Sequence, residues 1–115
     1  MKERLTMTTA QAAIAASGDE RYGVLLRRGT LELGCYAPRC NDPQQPHEQD
    51  ELYIVQAGHG TFVVADQRQP FEPGEALFVP AGVTHRFEDF SDDFCAWVVF
   101  YGPAGGESDA ACEPE

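Results

Sequence analysis

The sequence predicts an all-β chain headed by one short helix, and three observations carry that reading. Segments such as residues 22–28 and 30–37 alternate apolar and polar side chains with the period of a strand. Gly, Pro, Asn and Asp punctuate the chain between these segments, as in the loop of residues 38–46 with its three prolines. The stretch from Gly74 to His85 turns twice around Gly and Pro, then presents one imidazole from a new strand, which is how a β-barrel aims a metal ligand.

The elements follow in order. Thr8 or Thr9 caps a helix that runs through Ala16, and Ser17-Gly18 stops it. Strands at 22–28 and 30–37 flank Gly29, and the proline-rich loop then delivers Gln45 and His47. Residues 52–57 and 61–65 form a hairpin through Gly58-His59-Gly60, and residues 66–74 read as a plain connection. Strands at 76–79, 84–88 and 94–101 complete the chain, the last two joined by a polar turn. Both alternating sets of the last strand are apolar, so its outer face needs cover from the helix or from a second subunit.

Composition bounds the function. At 115 residues the chain is one domain, enough to bury roughly 65% of the surface its unfolded form exposes. The division expected is a helical segment at 1–20, a barrel at 21–103 and a flexible acidic tail at 104–115. Nineteen acidic against eight basic residues give a net charge of −11, and no Lys/Arg cluster stands ready to neutralise phosphates, so nucleic acid is not an expected partner. Apolar runs such as 95–101 fall far short of the ~20 residues that span a bilayer, and the N-terminus lacks a signal-peptide core, so the expected setting is the cytoplasm and not a membrane. Cys35, Cys40, Cys95 and Cys112 contain no C-x2-C pair and read as free thiols, with Cys35 and Cys95 packing as small hydrophobes inside strands.

Two spacings carry the chemistry. The first is G-x5-P-x-G-x2-H at Gly74, Pro80, Gly82 and His85; the second, upstream, is H-x3-E-x6-G at His47, Glu51 and Gly58. Together they resemble the two sequence motifs of the cupin superfamily. H-x3-E alone is common by chance, and its weight comes from the register to Gly58 and from the downstream motif. The resemblance covers nearly the whole chain beyond the first ~20 residues, and it implies a jelly-roll barrel, the cupin double-stranded β-helix. The 15 residues between Gly58 and Gly74 imply a compact barrel without a large insertion.

The same resemblance implies a metal site with one departure from the family pattern, G-x5-H-x-H-x3,4-E-x6-G. Gln45 stands where the first histidine belongs and Arg39 where the leading glycine belongs. The expected ligands are His47, Glu51 and His85, with Gln45 as a fourth through its amide oxygen and Gln49 as the rival amide. Two imidazoles and a carboxylate suit Fe(II), Mn, Ni, Co or Zn, and spacing alone does not choose among them. His59, between two glycines, reads as exposed.

Strand alternation puts Glu51 and Tyr53 on one face, and His85 and Phe87 on one face. Tyr53, Phe87 and Trp97 are accordingly the candidate pocket walls, each also a plain core residue on the simpler reading, and Tyr53 is the candidate proton donor. The acidic run 48–50 reads as a solvated face. The expected function is a metal-dependent oxygenase, isomerase or lyase acting on a small organic molecule in the barrel. The alternative is a non-catalytic module, with or without metal, that binds or senses a small ligand, and the missing histidine favours it; a third reading is a metal-free remnant whose His and Glu hydrogen-bond one another. Many small cupins are dimers, so the resemblance also implies a homodimer.

Overall fold

A computed structural model describes residues 4–108. Helix α1 spans Met7–Ala16 and a short 3-10 turn spans Gly18–Glu20. Eight strands follow among the described residues: β1 Tyr22–Arg28, β2 Leu31–Tyr36, β3 Asp50–Ala57, β4 Gly60–Val64, β5 Gln67–Phe71, β6 Ala76–Val79, β7 His85–Glu88 and β8 Cys95–Tyr101. They form an antiparallel five-stranded sheet in the order β1-β2-β8-β3-β6 and a three-stranded sheet in the order β5-β4-β7. The two sheets close face to face as an all-β jelly-roll barrel with a short N-terminal helix.

The helix begins earlier than expected, because Thr6 rather than Thr8 or Thr9 is its cap: the Thr6 hydroxyl accepts from the Thr9 N–H at 3.3 Å. It lies across the outer side of β1 and β2, burying Ala10 and Ile14 on Cys35 and Ala37 with Leu25, Cys95 and Trp97 alongside. Close approach requires a glycine in the strand beneath: a Cβ at Gly23 would stand 2.5 Å from the Ala13 backbone. Cys35, Cys40 and Cys95 are free, and the hydrogen bond from Cys35 draws the Cys95 thiol down to about 7.

Strand β5 was expected to be a plain connection. Its residues Gln67-Arg68-Gln69-Pro70-Phe71 are polar and contain a proline, which cannot donate to a ladder. The strand forms because it is an edge, paired to β4 alone with Pro70 opposite Thr61, and because Phe71 is driven into the core.

Between the sheets, Phe87 touches Tyr53, Phe62, Phe71 and Phe94 at ring-centroid separations of 4.6 to 5.4 Å, in tilted and edge-on geometries that aromatic rings favour. This cluster plugs one end of the barrel and leaves the other, around Tyr22, Tyr36 and Phe100, open as a cavity. The C-terminal segment was expected to be loose from residue 104. Instead the Gly105 N–H donates to the Glu48 carbonyl at 2.7 Å and the Glu107 N–H to Asp50 Oδ2 at 2.9 Å. Asp50 is consequently buried and also accepts from the Ala81 N–H at 2.9 Å, so the run 48–50 is not wholly a solvated face. Cys112 and the rest of the acidic tail lie outside the described residues.

Candidate metal centre

Each chemistry-bearing side chain is held by a different device. Glu51 lies near the start of β3, paired with Phe100 on one side and Val79 on the other, so its backbone is locked in the middle of the five-stranded sheet. His85 opens β7 in the opposite sheet, opposite Val64. It is aimed by the turn before it, where Gly82 takes a φ of +79° that other residues avoid and the Val83 N–H closes onto the Pro80 carbonyl at 3.2 Å. His47 comes from the loop, and the Gly82 N–H donates to its carbonyl at 2.7 Å, clasping the two motifs together.

The result is a three-residue group spanning both sheets. His85 Nε2 is 3.1 Å and His47 Nε2 3.8 Å from Glu51 Oε1, and the ligating atoms of all three lie within 4.8 Å of one another. Glu51 and His85 are almost completely buried. All three atoms are buried without a hydrogen-bond partner. A buried orphan polar atom costs roughly 1–3 kcal/mol, and three such atoms aimed at one point fit a cation that accepts their lone pairs. His85 Nδ1 lies 2.9 Å from the Val83 carbonyl; donation there fixes the tautomer and leaves Nε2 with its lone pair inward, the arrangement common to metal-bound histidines.

The imidazoles differ in proton affinity. Burial depresses His47 below the ordinary histidine value, against the pull of Glu51. Burial would depress His85 too, but the Glu51 carboxylate and the Val83 carbonyl together outweigh it and hold it above the ordinary value.

Gln45, expected as the fourth ligand, is exposed and does not line the cavity. The amide facing inward is that of Gln44, which accepts the Tyr53 hydroxyl at 2.6 Å. The irregular, proline-containing loop does not alternate as a strand would, so the motif register taken from Glu51 and Gly58 did not identify the amide that faces inward. Gln49 is occupied elsewhere: its Nε2 donates to the carbonyls of Thr30 at 2.8 Å and Gly102 at 3.0 Å.

The cavity above the metal group measures about 400 Å³ and is lined by Tyr53, as expected, with Tyr22, Tyr36, Val98 and Phe100. Phe87 belongs to the aromatic plug, and Trp97 faces outward against α1; neither is a pocket wall. Tyr53 is no ready acid, because its proton is committed to Gln44, and burial, then the Glu51 charge, push its pKa well above the ordinary tyrosine value.

Sequence reasoning missed Asp42. One oxygen accepts from the Tyr36 hydroxyl at 2.6 Å, and the other accepts from the Gln44 side chain at 2.7 Å and the Phe87 N–H at 2.8 Å. It thereby ties the loop to β7 and orders the cavity mouth. The available signal was an aspartate two residues before an amide in a proline-rich loop, since such a side chain caps the backbone ahead of it; the Gln44 N–H does donate to Asp42, at 3.3 Å.

Comparison with known proteins agrees with this fold. The Cupin domain family profile matches residues 32–101. An uncharacterised protein of Streptomyces coelicolor is 37% identical over 90 residues, covering 76% of this chain and 86% of that one. An acireductone dioxygenase of Leishmania braziliensis is 30% identical over 78 residues, 64% of this chain but only 19% of that protein. Among solved structures, a cupin 2 conserved barrel domain protein of Salinispora arenicola superposes with a TM-score of 0.66 at 21% identity over 89% of both chains. With most of the chain matched and the barrel formed, this protein belongs to the cupin family.

Proposed function

We propose that the protein is a metal-dependent enzyme acting on a small organic molecule held in the open end of the barrel. The observation that carries the proposal is the convergence of three buried, unpartnered donor atoms, His47 Nε2, Glu51 Oε1 and His85 Nε2, of which His47 and Glu51 line a cavity of about 400 Å³. A divalent transition ion held by these residues would supply Lewis acidity and exchangeable coordination positions. The chain supplies the rest. Phe100 packs against the His47 ring at 4.8 Å and keeps it in place, and the hydrogen-bonded tyrosines present a preformed outline to the bound molecule. The dioxygenase named among the relatives supports oxygenation as one possible chemistry, with isomerase or lyase reactions as the others.

The second reading, a binding or sensing module, is favoured by one specific observation: the three cavity tyrosines all donate to fixed acceptors, so none of them has a proton free for acid catalysis. Elemental analysis of protein purified without added ions tests the metal premise of the enzyme reading, since the binding module could act with or without metal. About one transition metal per chain in the wild type, lost in His85→Ala, is the expected result; no metal in either, even after reconstitution, refutes it. Turnover by the loaded protein then separates enzyme from binding module.

We also propose a homodimer through the outer face of the five-stranded sheet. The register sets Leu33, Val99, Leu52 and Phe78 side by side across four strands beyond the reach of α1, and Phe78 is half exposed. The free thiols of Cys35, Cys40 and Cys95 fit a reducing, cytoplasmic setting.

A further inference from the structure

The cavity wall has a one-sided hydrogen-bond inventory. The Tyr22 hydroxyl donates to Glu32 Oε2 at 2.7 Å, Tyr36 to Asp42 Oδ1 at 2.6 Å and Tyr53 to Gln44 Oε1 at 2.6 Å, so all three phenol protons are spent inside the protein. What the phenols have left are oxygen lone pairs. The Gln44 side-chain nitrogen donates to Asp42. Glu20 stands exposed at the mouth and Glu32 on the wall, and no Lys or Arg lines the cavity among the described residues. Arg27 does bond Glu32, at 2.9 Å, but from the outside: its side chain is 70% exposed and its charge is screened by solvent. Tyr22 meets Tyr36 and Phe100 edge-on at centroid separations of 6.3 and 6.4 Å, so aromatic carbon covers much of the remaining wall.

We infer that the cavity takes a small molecule bearing an ammonium or equivalent organic cation at its outer end, held by Glu20, Glu32 and the Tyr22, Tyr36 and Phe100 rings. The physical reason is the shortage of donors. An anionic group at this end would meet two carboxylates and acceptor oxygens with no basic side chain to receive it, whereas a cation finds carboxylates, phenol lone pairs and ring faces together. The inference rests on the proposed function only at the inner end, where an oxygen of the same molecule would face His47, Glu51 and His85. The outer end is specified by residues outside that group.

A matched pair of probes tests it: tyramine and 4-hydroxyphenylacetate share a phenol and differ in the sign of the charged end. Their dissociation constants are measured by calorimetry on the full chain, once after chelation and once loaded with zinc. In the chelated wild type tyramine should bind at least about tenfold more tightly, the equivalent of one desolvated cation contact. Glu20→Gln, at an exposed site where folding is not at stake, should shrink that ratio, and adding Glu32→Gln, which keeps an acceptor for Tyr22, should abolish it. Equal or reversed preference in the chelated wild type, no tyramine binding at millimolar concentration, or an unchanged ratio in the double variant overturns the inference. Failure of the metal reading is distinct: the wild type would hold no metal while the charge preference survived.

Discussion

At the scale of single residues, the site is an arrangement of lone pairs whose partners can be checked one at a time. Gln45 is exposed, so Gln45→Ala should leave metal content unchanged by elemental analysis. Gln44→Ala should behave otherwise. It strips the acceptor from the fully buried Tyr53 hydroxyl and should cost about 1–3 kcal/mol in denaturant unfolding.

Proton linkage gives a second test at this scale. The folded pKa of His85 in metal-free protein lies above its unfolded value, so its contribution to stability is fully present below about pH 6.5 and is lost as pH rises through the folded pKa. His47 is depressed by burial and gives the opposite slope, destabilising as pH falls. The two partly offset, so the His85 contribution is read from metal-free wild type against metal-free His85→Gln: their difference in Tm should be larger at pH 5.5 than at pH 8. With metal bound, protons compete for the same nitrogens, and metal affinity should fall on acidification.

The convergence of His47, Glu51 and His85 was legible because motif spacing is a property of the chain itself, set by Gly and Pro turns that fold locally. Asp42 and Gln44 were not, because their roles depend on where an irregular loop crosses the barrel mouth.

Among the elements, the contact of α1 on β1 tolerates little change. Gly23 admits no side chain, since an added Cβ meets helix backbone rather than a flexible side chain that could swing away. Gly23→Ala should therefore destabilise by about 1–3 kcal/mol in thermal or denaturant unfolding. Metal content per folded chain should be unchanged, since the helix lies on the opposite side of the sheet from the metal group. Strands β1 and β6 match expectation to the residue; β2 and β4 differ by one residue at each end, β7 and β8 by one at the start and β3 by two at the start. β5 was illegible because an edge strand needs only one pairing partner, and its polar, proline-containing sequence shows no alternation to detect. Trp97 shows the complementary failure: β8 is apolar on both faces, so periodicity could divide its residues into two sets but not say which set meets the cavity.

For the whole molecule, the open question is what covers the apolar rows outside the larger sheet. β6 is the sheet edge and carries Phe78, 49% exposed. Sedimentation velocity should give a dimer for the wild type, and Phe78→Lys should shift it toward monomer without changing metal content. A monomeric wild type at high micromolar concentration would refute the assembly. Among the described residues no helix is long and apolar enough to cross a membrane.

The sequence by itself determined the fold class, the family resemblance and the three side chains that converge, because strand alternation and Gly/Pro turns act over a few residues and survive in the linear order. Only the tertiary structure decided that Gln44 replaces Gln45 at the cavity, that Phe87 plugs the barrel while Trp97 lies outside it, and that all three tyrosine protons are spent within the wall. Those outcomes depend on which surfaces meet when two sheets and a loop close on one another. That closure brings together residues far apart in the chain, as when Asp42 accepts from Phe87, and no local pattern records such a meeting.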